Sequence, residues 1–162
     1  MDTWYKGFEP VIDENSKVLI LGSFPSVKSR AQGFYYGNPQ NRFWNVLEKA
    51  TGKLVPKTIE GRKQFLLDNN IALWDVVESS SLQGSMDSSI NPNNSIPVDF
   101  NKVLNGYHKI ELIILNGKKA FSIFNRYNKN LKNRVVCLPS TSPANVRFNE
   151  KEWLLELNIL TE

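Results

Sequence analysis

Four short apolar runs, separated by segments with helical periodicity, are the feature that most constrains the fold of this chain. The runs are Lys17 to Leu21, Ile71 to Val77, Ile110 to Leu115 and Arg134 to Leu138. Buried strands that alternate with helices form parallel sheets, because each crossover helix returns the chain to the same end of the sheet and covers one face. The sequence therefore predicts a three-layer α/β/α sandwich with a central four-stranded parallel sheet.

Segments with helical periodicity lie between and after these runs. Their apolar side chains recur at intervals of three and four residues, which is the spacing of one helix face. The predicted helices are residues 42–50, 58–69, 98–107, 118–128 and 149–159. In the first of them Phe43 and Trp44 lie on the apolar face, so we expect both side chains in the core.

Two further segments lack such a pattern. In the lead-in, residues 1–16, we expect residues 10–12 to pack on the edge of the sheet. Residues 78–96 are rich in Ser, Asn and Gly, which predicts a surface loop at the carboxyl end of the second strand.

The composition limits both the number of domains and the chemistry. A chain of 162 residues with 41% hydrophobic residues can bury one core, so residues 1–162 are predicted to form a single domain. One cysteine, Cys137, and one histidine, His108, exclude an internal disulfide and leave only carboxylates to bind a metal. We therefore expect no metal site and no cofactor.

The sequence gives no sign of a membrane partner. No apolar run is long enough to cross a bilayer, and the first ten residues lack the pattern of a signal peptide. We expect a cytoplasmic monomer. The net charge of +4 and the isoelectric point near 9.2 fit a polyanionic partner, but such an excess is common in proteins that bind none.

The segment from Gly22 to Trp44 is the main candidate for a ligand site. It leaves the carboxyl end of the first strand, where open α/β sheets bind ligands, and it is longer than most structureless connections. It offers flat aromatic faces and amide groups, those of Phe34, Tyr35, Tyr36, Asn38, Gln40 and Asn41. Such groups suit a planar, hydrogen-bonding ligand such as a nucleobase. Tyr36 and Asn41 are the candidate site residues, and the alternative is that they only cover the sheet.

Polar groups also follow the other strands. Residues 139–145 present hydroxyl and backbone N–H groups that suit a phosphate, although a capped turn before the last helix fits almost as well. Asn116 is either the N-cap of a helix or an amide that reads a base edge. Asp75 and Glu78 could supply a general base, although carboxylates at strand ends more often cap loops. Spacing alone leaves these alternatives open.

Five motifs, in this order along the chain, carry a resemblance to a known family. They are GSFPS (22–26), YYGNPQNRFW (35–44), ALWDVV (72–77), LNGKKAF (115–121) and LPSTSPAN (138–145). Together they resemble the uracil-DNA glycosylase superfamily, and within it they are most similar to the hypoxanthine-DNA (DNA-deoxyinosine) glycosylases. The resemblance runs from about residue 7 to the carboxyl end.

The resemblance implies an enzyme that acts on single- or double-stranded DNA containing a deaminated base. It implies a monofunctional DNA glycosylase that flips the base, hypoxanthine above all, out of DNA and hydrolyses its N-glycosidic bond, which starts base excision repair. Two alternatives stay open. One is a mismatch-type uracil-DNA glycosylase with the same fold, and the other is a catalytically silent domain that binds damaged DNA.

The same resemblance implies roles for individual residues. The residues implied to bind the base are Gly22, Ser23, Phe24, Tyr36 and Asn116. Tyr36 occupies the place of the ring that stacks on the base, and Asn116 that of the amide that reads its edge. The residues implied to contact the DNA backbone or to enter the base stack are Pro25, Ser26, Ser140, Thr141, Ser142, Pro143, Ala144, Asn145 and Arg147.

Two departures from the superfamily pattern bear on catalysis. Phe24 stands where the mismatch-specific relatives have their water-positioning asparagine, and Leu138 stands where the uracil-specific relatives have a histidine. In the hypoxanthine branch the asparagine of the second motif takes this role. The resemblance therefore implies that Asn41 is the catalytic residue.

Overall fold

The computed structural model describes residues 3–82 and 95–161. The strands are β1 (Thr3–Lys6), β2 (Val18–Gly22), β3 (Ile71–Asp75), β4 (Val77–Leu82), β5 (Ser95–Pro97), β6 (Leu112–Asn116) and β7 (Arg134–Leu138). The helices are α1 (Val27–Gln32), α2 (Phe43–Thr51), α3 (Ile59–Asp68), α4 (Phe100–Leu104), α5 (Lys118–Tyr127) and α6 (Lys151–Leu157), and a 3-10 turn (Asn158–Thr161) follows α6.

The central sheet contains four parallel strands in the order β3-β2-β6-β7. Val18 at the start of β2 pairs with Ile71 on one side and Leu112 on the other, so the strands begin at one edge of the sheet. Their carboxyl ends therefore meet at the opposite edge, where Gly22 is the partner of Asp75. The predicted parallel four-stranded sheet is confirmed.

Helices cover both faces of this sheet. Alternate residues of a strand point to opposite faces, so Ile20 packs on one side with Phe43 and Trp153, while Leu21 packs on the other with Phe124. The first face is covered by α2, α3 and α6, and the second by α4 and α5. This is the predicted three-layer α/β/α sandwich, and Phe43 and Trp44 belong to its core as expected.

The lead-in lies against the edge strand of the sheet. Val11 forms an antiparallel bridge with Leu73 of β3 and is buried. Tyr35 holds the chain just before Val11, because its hydroxyl donates to the backbone carbonyls of Phe8 and Glu9 at 3.2 and 2.9 Å. The expectation that residues 10–12 pack on the sheet edge is confirmed at Val11.

The surface loop predicted for residues 78–96 is wrong at both of its ends. Strands β4 and β5 pair antiparallel, and β1 pairs with the other side of β4 to complete a second, three-stranded sheet. Hydroxyls across the strands stabilise this polar pairing, since Ser80 and Ser95 approach to 2.8 Å between their Oγ atoms. The middle of that loop, residues 83–94, lies outside the described residues. The predicted strand from Ile71 to Val77 is divided accordingly, and Asp75 is its last residue in the central sheet.

The long segment after β2 also differs from its prediction as a loop. It contains helix α1, whose first turn is capped by the Ser26 hydroxyl accepting from the Ser29 N–H at 3.1 Å. Gly33 ends the helix with φ of 81°, a left-handed conformation that glycine adopts at little cost. A helix of six residues is too short to show a periodic pattern in the sequence.

Candidate functional site

A polar cavity of about 200 Å³ lies at the carboxyl edge of the central sheet. The structure brings together here every residue that the sequence assigned to the site except Asn145 and Arg147. Four lining residues were not assigned to it, namely Ser29, Tyr35, Asn38 and Asp75. Asp75 had a sequence signal, since it ends a buried strand at the ligand edge, whereas Ser29 had none because α1 was not predicted.

Gly22 allows two polar side chains to meet at the floor of the cavity. A Cβ atom on Gly22 would lie 2.7 Å from Asp75 Oδ1 and 3.0 Å from the Tyr36 hydroxyl. The first of these distances is shorter than any van der Waals contact. Only glycine therefore leaves room for the carboxylate and the phenol to lie side by side.

Helix α2 holds Tyr36 in place. The Tyr36 ring stacks on Phe43 with centroids 4.0 Å apart and 22° between the ring planes, so one of its faces is already covered. The indole N–H of Trp44 donates to the Tyr36 carbonyl at 3.2 Å. Tyr36 has φ of 51°, a left-handed conformation that is uncommon for a residue other than glycine and that concentrates at functional sites. The core aromatics of the NRFW sequence thus position a cavity residue.

The environment keeps the Tyr36 phenol protonated. Burial raises the pKa of Tyr36 far above its usual value, the charge of Asp75 raises it further, and the Asn116 amide lowers it by a smaller amount. Its buried hydroxyl nonetheless makes no hydrogen bond of normal geometry within the described part of the chain. At every ordinary pH the cavity therefore contains a protonated phenol beside the Asp75 side chain.

Asn41 is fixed at the wall of the cavity by the start of helix α2. Its Oδ1 accepts from the Phe43 N–H at 2.9 Å, and its own backbone N–H donates to the Asn38 carbonyl at 2.9 Å. One lone pair of Oδ1 and the amide N–H₂ group are not used in this bond. Asn41 thus combines a structural bond at the start of α2 with an amide that can hold a water molecule.

Asn116 connects the end of β6 to the loop after β7. Its amide Nδ2 donates to the Thr141 hydroxyl, its Oδ1 accepts from the Thr141 N–H, and both distances are 3.0 Å. Thr141 is buried. The Asn116 amide retains one N–H and one lone pair for a ligand. It could therefore contact a base edge while it keeps its two hydrogen bonds to Thr141.

Local hydrogen bonds stiffen residues 140–145. The hydroxyls of Ser140 and Ser142 accept from the N–H groups of Ser142 and Ala144 at 3.2 Å each. Arg42 donates from Nη1 to the carbonyls of Ser142 and Asn145 at 3.2 and 2.9 Å. The segment is therefore a capped turn whose serine hydroxyl protons can still be donated to an anion.

Other candidate residues lie away from the cavity. Arg147 is exposed two residues beyond the turn, and the side chain of Glu78 is exposed in β4. His108 is exposed and lines a separate depression with Lys17 and Asn70, near the amino ends of the strands. In the described part of the chain, no helix is long and apolar enough to span a membrane.

The fold and the cavity define an α/β/α protein with a polar cavity, lined by aromatic and amide side chains, at the carboxyl edge of its sheet. Residues 9–159 match the family described as the uracil DNA glycosylase superfamily. The chain belongs to this superfamily, which confirms the resemblance carried by the motifs.

Relatives and a solved structure cover most of the chain. A "Hypoxanthine DNA glycosylase" of Methanosarcina acetivorans is 39% identical over 152 residues, which are 91% of this chain and 94% of the relative. A protein of the same name from Methanosarcina barkeri is 36% identical over 71% of this chain and 72% of its own. The solution NMR structure of a candidate uracil DNA glycosylase from M. acetivorans superposes with a TM-score of 0.82, at 35% identity over 99% of this chain and all of that one.

Proposed function

We propose that this protein is a monofunctional DNA glycosylase that releases hypoxanthine from deoxyinosine in DNA and so starts base excision repair. The observation that carries this proposal is the cavity itself, in which aromatic rings, three asparagine amides and the Asp75 carboxyl group surround the space for one planar ligand. The relatives named hypoxanthine DNA glycosylase support the choice of base. The proposed reaction requires no cofactor.

Base flipping is the first step of the proposed reaction. A base inside a duplex is shielded at its glycosidic bond, so the nucleotide must leave the stack at a cost of a few kcal/mol, which is lower for a mispaired base. The free face of the Tyr36 ring receives the flipped base. Residues 140–145 and the loop Pro25 to Ser26 lie against the DNA backbone. The hydrogen bonds within residues 140–145 keep this turn from deforming when it enters the base stack.

Hydrolysis then needs a positioned water more than a strong base. As the C1′–N bond breaks, its electron pair leaves with the base and the sugar becomes oxocarbenium-like, so water adds to C1′ and releases a proton. We assign the holding of this water to Asn41, whose amide orients it without taking the proton. Donors near the base stabilise the charge that it gains. No lysine lines the cavity in the described ranges 3–82 and 95–161, which agrees with hydrolysis and not with a Schiff base.

Release of free base from two oligonucleotides tests the choice of substrate. One duplex contains deoxyinosine and the other deoxyuridine opposite guanine, and each is incubated with excess protein. We expect hypoxanthine to be released faster than uracil. Uracil release alone would favour the mismatch-type alternative, and binding without release of either base would favour the silent DNA-binding domain.

Arg147 provides a prediction about salt. This exposed arginine lies just after the turn of residues 140–145 and, by our proposal, contacts a DNA phosphate. Arg147→Ala should flatten the slope of log affinity against log salt by up to about one unit. It should also weaken binding to every DNA sequence by the same factor. Lys109→Ala is the matched control, because Lys109 lines the depression at the opposite edge of the sheet. Equal slopes for Arg147→Ala and wild type would place Arg147 away from the DNA.

We also propose three properties that were predicted from the sequence. We propose that residues 1–162 act as a single domain, that the protein is a monomer, and that it works in the cytoplasm. Sedimentation of the protein alone and with an inosine duplex would measure its mass and its stoichiometry on DNA. A dimer in either sample would contradict the second proposal.

A further inference from the structure

Arg42 joins the turn of residues 140–145 to the start of helix α2. Its backbone N–H donates to the Thr141 carbonyl at 3.1 Å. Its Nη1 atom donates to the carbonyls of Ser142 and Asn145 at 3.2 and 2.9 Å, which uses both N–H groups of that nitrogen. Three backbone carbonyls of the turn are thus bound by one residue.

The Arg42 guanidinium is itself held from the side of the core. It lies over the Phe148 ring, with Cζ 5.0 Å from the ring centroid, and Phe148 packs against the core cluster that contains Phe43 and Trp153. The face of an aromatic ring attracts a planar cation, which restrains the guanidinium in the orientation that reaches the turn. The half-buried side chain of Arg42 therefore lies between the core and the turn.

Arg42 holds the second half of the turn, whereas other residues hold its beginning. Asn116 binds Thr141 through two hydrogen bonds, and the indole N–H of Trp153 donates to the Pro139 carbonyl at 2.8 Å. Without the Arg42 side chain, the turn would keep these bonds at its start. It would lose the two bonds from Nη1 that fix its carboxyl half.

The site residues next to Arg42 are held by other contacts. Asn41 is bound to the Asn38 carbonyl and to the Phe43 N–H, and the Tyr36 ring stacks on Phe43. None of these contacts uses the Arg42 side chain. Its loss should therefore move the turn but leave the Asn41 amide and the Tyr36 ring in place.

We propose that Arg42 is a positioning residue that holds the turn of residues 140–145 in shape as the turn enters the base stack, so that Arg42 affects base flipping and not hydrolysis. This inference rests on the proposed glycosylase function. Flipping costs more free energy for a well-paired base than for an unpaired one. Contacts between the turn and the opened stack offset this cost best when the turn is already in position, since a mobile turn would lose conformational entropy on binding.

A phosphate contact is the alternative role for an arginine at this place. Salt dependence separates the two roles, because a cation that contacts a phosphate releases counterions when DNA binds. Arg42→Met should leave the slope of log affinity against log salt as it is in wild type. In this it should differ from Arg147→Ala.

Two duplexes that differ in the cost of flipping test the inference. One has deoxyinosine opposite cytosine, the other has it opposite an abasic-site analogue, and single-turnover release from the two gives a ratio of rate constants for each variant. A loss of folded protein cancels from this ratio. A 2-aminopurine base next to the inosine, whose fluorescence rises when its stacking is broken, reports flipping separately. Lys49→Met is the matched control, because Lys49 is a cation of α2 that pairs with Glu150 at 2.8 Å, outside the turn.

We expect the ratio of paired to unpaired release to fall by about fivefold or more in Arg42→Met, as for lost hydrogen bonds on which one step depends. The rise in fluorescence should fall with it. Phe148→Leu, which removes only the ring beneath the guanidinium, should lower the same ratio by about twofold. Lys49→Met should keep the wild-type ratio.

Equal slowing on both duplexes in Arg42→Met, or a flattened salt slope, would overturn the inference. The first result would mean that Arg42 only maintains the fold or the cavity, and the second that it contacts a phosphate. The proposed function fails separately, if wild-type protein releases no base from either duplex. The fluorescence of Arg42→Met against wild type would still decide the inference in that case.

Discussion

Asn41→Ala should lose most of its base release, by about 100-fold or more, while it binds inosine DNA nearly as well as wild type. The expected loss follows from the role proposed for the amide, which is to hold water at C1′ in the transition state without contacting a phosphate. A positioned group that acts only on the reacting atoms lowers the rate of release without lowering affinity. Single-turnover release and equilibrium binding, measured on the same duplex, separate the two quantities.

The bond from the Phe43 N–H to Asn41 Oδ1 requires its own control. Alanine also removes the acceptor for the Phe43 N–H, which should cost about 1 kcal/mol of stability. Asn41→Ser restores an acceptor for that N–H but no amide, so it should recover stability without recovering release. Asn45→Ala, on the exposed side of α2, should leave release unchanged. If Asn41→Ala kept near wild-type turnover, the catalytic role would pass to Asn38 or Asp75.

Gly22→Ala should reduce base release by about tenfold or more and destabilise the protein by about 1–3 kcal/mol, in the range of overpacked sites. The new methyl group would lie 2.7 Å from Asp75 Oδ1 and 3.0 Å from the Tyr36 hydroxyl, so both must move from the floor of the cavity. Chemical denaturation measures the free energy of unfolding, and single-turnover assays at a temperature where the variant is folded measure release.

Gly106→Ala is the matched control for this substitution. A Cβ atom at Gly106 would meet only the Val103 carbonyl at 3.7 Å, an ordinary contact, and Gly106 lies outside the cavity. It should therefore leave both release and stability near wild type. If Gly22→Ala behaved in the same way as Gly106→Ala, the close approach above Gly22 would have no part in function.

The parallel sheet could be predicted because its strands are buried on both faces. Such strands are continuous apolar runs, as in Val18 to Leu21, and the pattern needs no tertiary information. Strand β4 could not be recognised in this way, since it is a serine-rich run in which Ser80 pairs its hydroxyl with Ser95 of β5, and its partner β1 is far away in sequence. Helix α1 was missed because six residues are fewer than two turns, and its cap at Ser26 resembles an ordinary loop serine.

The part of the candidate site that lies within the sequence motifs could be predicted. The residues from Gly22 to Ser26 and from Ser140 to Ala144 were placed by resemblance, and the structure brings them to one cavity. Which of them contact DNA stays a prediction. The meeting of Asp75 with Tyr36 depends on the register of β2 against β3 and on the left-handed backbone at Tyr36, and neither can be read from one sequence.

The hydrogen bonds within the site could not be predicted from the sequence either. Asn41 and Asn116 have amides that a motif identifies only as polar, yet that of Asn41 accepts from the Phe43 N–H and that of Asn116 binds Thr141. These partners limit what each amide can still do for a ligand. Substitution of either residue must therefore be judged by stability as well as by activity.

Analysis of the products from a duplex with a single deoxyinosine is the most direct test of the central claim. With excess protein, the account predicts free hypoxanthine and an abasic strand whose phosphodiester backbone stays intact until alkali cleaves it. Asn41→Ala, run in parallel, should yield little of either product and so exclude a contaminating activity. Strand cleavage without alkali, or an inosine duplex that is bound but keeps its base, would contradict the account.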